Sequence, residues 1–234
     1  MSAQQSFPVS YGVSLRPAVS GAWPTGAAGG KPGWDNALPI AGSVLNFSQD
    51  QEIYGDGDDA QLYFKVLTGV VRTCKFLDDG RRQIEAFHAA GDLFGFEAGA
   101  EYTMSAEAVC DCTVVSYRRR SFDTQAAGDE RVWPQMFAAM MRNLARAQVH
   151  TLLLGRRTAL EKVASFLIDW ADRASGGRIA ALPMTRQDIA DYLGLTIETV
   201  SRMLSQLERQ DLIELSSARQ IKLKNPLALR ELNA

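Results

Sequence analysis

A chain of 234 residues that is 46% hydrophobic and 22% charged has ordinary globular composition, with room for one large or two modest domains. Its longest apolar runs are a few residues, such as Leu152–Leu154, against the ~20 that a membrane-spanning helix needs, so no membrane is expected as a partner. The formal net charge of −2 divides unevenly: residues 1–155 hold 13 Lys and Arg against 17 Asp and Glu, and residues 156–234 hold 12 against 10, which makes the C-terminal part the better match for an anionic partner.

Residues 1–43 are rich in Gly, Pro, Ser and Ala without a sustained period and read as a flexible arm. The opening MSAQQSFPVS has neither the basic nor the apolar region of a secretory signal, so a cytoplasmic protein is expected. Gly30-Lys31 is no phosphate loop, because Thr25 stands where that loop needs glycine and Pro32 where it needs Ser or Thr.

From 44 to 128 short β-type runs alternate with turn residues. Leu62, Phe64 and Val66 alternate with Tyr63 and Lys65, Gly69 precedes VVRTCKF, Asp78-Asp79-Gly80 separates that run from RRQIEAF, and AVCDCTVVSY closes the series after Gly91-Asp92. Several short strands at this spacing predict a small antiparallel barrel or jelly roll. Cys110 and Cys112, at i and i+2, are expected on one face of a strand as small hydrophobes, and with Cys74 they make no disulfide framework. His88 and His150 form no ligand set with any cysteine pair, so no metal is expected, and no Ser-His or Cys-His arrangement points to an enzyme.

Residues 129–156 predict a long helix with Pro134 in its first turn. Phe137, Met140, Met141, Leu144 and Ala147 form one apolar stripe running into Leu152–Leu154, which can be buried on its own domain or on a twin helix. The twin is preferred, because the region that follows needs a dimer.

The most specific segment lies in 157–234. In PMTRQDIADYLGLTIETVSRMLSQLE, Thr185 followed by Asp188 is a capping-box start, Ile189 and Leu193 share the buried face of a short helix, and Gly194 permits a sharp turn. Thr196 caps a second helix whose Val200, Leu204 and Leu207 face inward, which makes a helix-turn-helix. Ile197, Glu198, Ser201 and Arg202 then share the face that such a helix offers to base edges in the major groove. Arg202 can pair with guanine O6 and N7, and Glu198 can accept from a cytosine amine; the two also stand at ion-pair spacing, where each would orient the other. DLIEL and RQIKLK read as a two-stranded wing. Thr185, Arg186, Thr196, Thr199, Arg219 and Lys222, with Lys224, are candidate phosphate contacts.

Over residues 44–225 the chain resembles the CRP/FNR superfamily of bacterial transcription regulators, and within it the FixK-like branch. LYFKVLTGVVR, IEAFHAAGDLFGFE and VCDCTVVSYRRRSF carry the resemblance in the first half, and MTRQDIADYLGLTIETVSRMLSQLE carries it in the second. It implies an α+β chain of β-roll, long dimerisation helix and winged helix-turn-helix, acting as a homodimer on double-stranded promoter DNA and touching RNA polymerase, with the β-roll loops near 56–60 and 78–82 as candidates for that contact. By the resemblance Glu198 and Arg202 are base-reading residues, and the Glu-Thr-Val-Ser-Arg run, with Ile197 and Ser201, implies TTGAT-type rather than TGTGA-type half-sites. No bound cofactor is expected. An iron–sulfur centre of the FNR type needs a cysteine cluster that residues 1–73 lack. The Arg-Ser pair that holds a cyclic phosphate is missing as well, since no arginine stands between Gly91 and Ser116 and Glu101 would repel the phosphate. The branch implies control of genes for oxygen limitation or nitrogen fixation.

Overall fold

The computed structural model describes residues 42–120, 132–156, 158–174, 179–217 and 219–232, so the expected arm lies almost wholly outside the described residues. Eight strands form two antiparallel four-stranded sheets. The first has the order β1 (Ser43–Phe47), β8 (Cys112–Arg118), β3 (Leu62–Thr68), β6 (Leu93–Phe94); the second has β2 (Glu52–Tyr54), β7 (Ser105–Ala108), β4 (Val70–Phe76), β5 (Arg82–Ala89). Alternation turns Phe64, Val66, Phe94, Cys112 and Val114 of one sheet toward Tyr54, Val71, Ala106 and Ala108 of the other, closing the expected β-roll around one apolar core.

Gly69 joins β3 to β4 at φ +81°, and a Cβ there would lie 2.5 Å from Cys112 Cβ and 2.6 Å from the Asp111 carbonyl oxygen. Cys112 is paired in β8 and Asp111 is the residue joined to it, so neither gives way. Gly69→Ala is expected to cost at least ~2 kcal/mol, from the left-handed backbone and the clash together, read as a lower urea midpoint.

AVCDCTVVSY is not one strand. β7 ends at Ala108 and β8 begins at Cys112, with Val109–Asp111 bending between them. Val109 N–H donates to the Val70 carbonyl at 2.8 Å and the Asp111 carboxylate accepts from Gln49 N–H at 3.0 Å, so the bend holds its own bonds. Cys110 therefore sits half-buried in the bend and shares no strand face with Cys112. Burial pushes the Cys74 and Cys112 thiols up to about 11, which keeps both as unreactive thiols at neutral pH.

His88 is buried in the β-roll, stacked on Phe94 at 5.0 Å. Thr73 Oγ1 donates to Glu85 at 2.8 Å and so accepts from His88 Nε2, 3.2 Å away, leaving Nδ1 without a hydrogen-bond partner among the described residues. Desolvation pushes the imidazole down to about 4 against 6.5 in an open chain. The native state therefore stays neutral while the unfolded state takes up a proton, so stability is full above pH 6.5 and falls between 6.5 and about 4. Denaturant titrations over that window are expected to show a loss of order 3 kcal/mol that His88→Gln removes.

Helix α1 (Val132–Arg156) starts two residues before Pro134. Val132, Met136 and Ala139 pack on Tyr63, Leu93 and Tyr117 of the β-roll. The other side carries the expected stripe, with Phe137 55%, Met140 41%, Met141 46%, Leu144 51% and Leu152 66% exposed and Ala147 half-buried. The stripe does not continue through all of Leu152–Leu154, because Leu153 turns the opposite way into the core with α2 (Ala159–Ala174).

The remaining elements are β9 (Ile179–Ala181), α3 (Arg186–Leu193), α4 (Ile197–Arg209), β10 (Ile213–Ser217), β11 (Gln220–Leu223) and α5 (Pro226–Glu231). The wing has three strands rather than two, in the order β10-β11-β9. β9 is three residues long, too short to show a period, and is fixed by tertiary contacts: Ala180 is fully buried and Trp170 Nε1 donates to the Ala181 carbonyl at 2.7 Å.

Candidate nucleic-acid interface

The two helices of the motif begin and end as their residues dictate. Thr185 caps α3, its hydroxyl accepting from Asp188 N–H while the Asp188 carboxylate accepts from Thr185 N–H at 2.9 Å. Gly194, at φ 61° and ψ 41°, ends the helix in the left-handed conformation that the turn needs. Thr196 then caps α4 by accepting from Thr199 N–H at 3.2 Å.

Val200, Leu204 and Leu207 are buried and pin α4 on the domain core. That rotation leaves Ile197, Glu198 and Arg202 exposed and Ser201 half-exposed, so the four expected base-reading residues lie together on the open face. The Glu198 carboxyl is held below the usual carboxylate range by its own backbone N–H and by the Thr196 side chain, so an ionised acceptor sits at the positive end of the helix. Glu198 and Arg202 do not orient one another as the spacing suggested. The Glu198 carboxyl is drawn to the cap, and no ion pair among the described residues takes Arg202.

Arg186 Nη1 donates to Ser201 Oγ at 3.2 Å, which joins an expected phosphate contact to an expected base contact. Because the hydroxyl accepts there, its own proton is available to a base or phosphate oxygen. Thr196 and Thr199 meet through their hydroxyls at 3.1 Å at the same helix start. On the wing Arg219 is exposed, whereas Lys222 pairs with Glu214 at 3.4 Å and Lys224 pairs with Asp211. Exposed pairs of this kind are weak, and a phosphate can displace the carboxylate.

Residues that sequence reasoning did not find hold the motif against the β-roll. Arg72 and Arg82, on β4 and β5, both reach Asp188, and Arg82 also reaches Asp191. Phe87 lies 5.3 Å from the Tyr192 ring and 6.1 Å from Trp170, in a core shared by the β-roll and the DNA-binding half. No local period marks such contacts, which join residues far apart in the chain, more than a hundred positions for the two arginines and Asp188.

The β-roll interior is filled by its own rings. Tyr54 stacks on Tyr102 at 3.7 Å and on Phe64 at 5.6 Å, and Phe64 stacks on Phe94 at 5.2 Å. At the turn after Gly95 the Glu97 carboxylate is taken up by Thr103 N–H and Oγ1, both at 3.0 Å. None of these side chains is a cation that could pair with a cyclic phosphate, and the Glu97 carboxylate at the turn would repel one. Among the described residues no group of three or more His, Cys, Asp or Glu could hold a metal ion, and no helix is long and apolar enough to cross a membrane.

Two family models match. Residues 44–129 match the cyclic nucleotide-binding domain and residues 161–232 the Crp-like helix-turn-helix domain. The nitrogen fixation regulation protein FixK of Rhizobium meliloti is 43% identical over 196 residues, 83% of this chain and 90% of that protein. FixK of Azorhizobium caulinodans is 48% identical over 82% of this chain and 80% of its own length. Among solved structures, FixK2 from Bradyrhizobium japonicum superposes with a TM-score of 0.79 at 45% identity, covering 83% of this chain and 98% of that one.

Proposed function

Because the chain belongs to the FixK-like branch of the CRP/FNR superfamily and is a DNA-binding transcription regulator of that type, we propose that it works in the cytoplasm as a homodimer that reads TTGAT-type palindromes without a bound cofactor. The observation that carries this reading is the open face of α4, where Glu198, Ser201 and Arg202 stand free of the core. Arg202 donates to guanine O6 and N7, Glu198 accepts from the cytosine amine, and Ile197 supplies an apolar contact to a thymine methyl. Thr185, Arg186, Thr196 and Thr199 hold the adjoining phosphates, with Arg219 and Lys222 following from the wing.

The exposed stripe of α1 supports the dimer, because five large apolar side chains on one helix face are costly in water and a second copy of the helix covers them. A two-fold dimer sets its recognition helices about 34 Å apart, one turn of DNA, which matches a palindrome. The ring-filled β-roll supports activity without an effector. Activation needs a surface for RNA polymerase, and the turn after β4 favours residues 78–82 over 56–60, since Phe76 and Leu77 beside it are 54% and 41% exposed. The nitrogen-fixation role in the relatives' names supports target genes for nitrogen fixation or oxygen limitation.

The test is a titration of dialysed, aerobically purified protein against a TTGAT palindrome, with and without added cyclic nucleotide and thiol reductant, at one fixed salt concentration. Equal, tight binding in every arm is expected; binding that appears only with an additive overturns the cofactor-free reading.

A further inference from the structure

The helix α3 is anchored at both ends by groups from outside the helix-turn-helix. At its start the Asp188 side chain, 3% exposed, divides its two oxygens: Oδ2 accepts from Thr185 N–H and Oγ1, closing the capping box, and Oδ1 accepts from Arg72 Nη1 at 3.3 Å and Arg82 Nη2 at 2.5 Å. Three residues on, Asp191 Oδ2 accepts from Arg82 Nε at 2.9 Å, and its other oxygen accepts from Gln187 at 2.6 Å. At the far end the carbonyls that a helix leaves unpaired are taken by Gln83 and His150 on Tyr192 and by Lys162 on Leu193. Glu107 and Asp50 complete the charge around the two arginines.

We propose that Arg82, with Arg72 beside it, is a positioning residue for DNA recognition: through Asp188 and Asp191 it fixes α3, and with it the recognition helix α4, at one orientation on the β-roll. This rests on α4 reading DNA, as above, and deepens it by assigning a role in that reading to side chains of the β-roll. The orientation passes to the base-reading face through Arg186, two residues before Asp188, which bonds Ser201. Without the Arg82 contacts the two-helix unit samples several orientations, and the apparent dissociation constant rises by the inverse of the fraction that fits both half-sites.

Two variants separate positioning from mere charge. Arg82→Gln is expected to weaken palindrome binding about tenfold at 25 °C, where the dimer is still folded, with little change on scrambled DNA. Asp191→Asn removes a negative charge from the DNA-binding half, so electrostatics alone tightens binding to every DNA, whereas lost positioning weakens binding to the palindrome by about threefold or more. The double variant is expected to be no weaker than Arg82→Gln, since both changes break one contact. Asp191→Asn binding the palindrome as tightly as wild type or tighter, or losses that add in the double variant, overturns the proposal. Should Arg82→Gln fold poorly, Asp191→Asn, an isosteric change on an ordered helix, decides alone. The ratio of palindrome to scrambled binding by the wild-type protein, measured in the same titration, reports separately on α4 as the reader.

Discussion

Arg202→Ala is expected to weaken binding to a TTGAT palindrome by ~1–3 kcal/mol per half-site, ~2–6 kcal/mol for the dimer, and to abolish the preference for guanine at the position it reads. The size follows from geometry. Arg202 is exposed on the face opposite Val200 and Leu204, and no ion pair among the described residues competes for it, so a base edge would gain the full bidentate pairing. Arg202→Lys restores the charge without the planar fork and is expected to recover part of the affinity and little of the discrimination. A fluorescence-anisotropy titration against the palindrome and a guanine-substituted site reads both numbers; unchanged discrimination in Arg202→Ala removes the role from this residue.

Met140→Asp with Leu144→Asp is expected to give a folded monomer that has lost nearly all palindrome affinity. Both side chains are more than 40% exposed in the single chain, so the substitutions remove no intrachain core and leave the fold intact. Two buried carboxylates in the twin interface would each lose solvation with no partner, which dissociates the helices. A monomer then holds one half-site and forfeits the gain from linked half-sites. Sedimentation gives the mass and circular dichroism the helix content; an intact dimer contradicts the assignment of this face. Leu153→Asp is the contrasting change: Leu153 is 6% exposed in the shared core, so that variant is expected to unfold.

The parts legible in the sequence were those governed by local rules. Alternation showed β3, the capping box Thr185-Asp188 and Gly194 showed the start and stop of α3, and the 3.6-residue period of Val200, Leu204 and Leu207 showed which face of α4 stays open. The parts that escaped depend on what meets in space. The bend that separates Cys110 from Cys112, the added strand β9 and the inward turn of Leu153 are each decided by long-range partners. So are the contacts of Arg72 and Arg82 with Asp188 and Asp191: in sequence Asp188 is already explained by its cap, and only the fold brings two arginines to its second oxygen. The Glu198–Arg202 spacing misled for a local reason, because the helix start offers Glu198 a backbone N–H and Thr196 nearer at hand.

The most direct test of the account is a competition experiment on one preparation of dialysed wild-type protein, in which a labelled TTGAT palindrome is displaced by unlabelled TTGAT palindrome, TGTGA palindrome and a TTGAT pair whose half-sites are moved apart by half a helical turn. A dimer reading successive major grooves through Glu198, Ser201 and Arg202 is displaced only by the first. Equal displacement by the TGTGA palindrome contradicts the assigned base contacts, and equal displacement by the respaced pair contradicts the symmetric dimer.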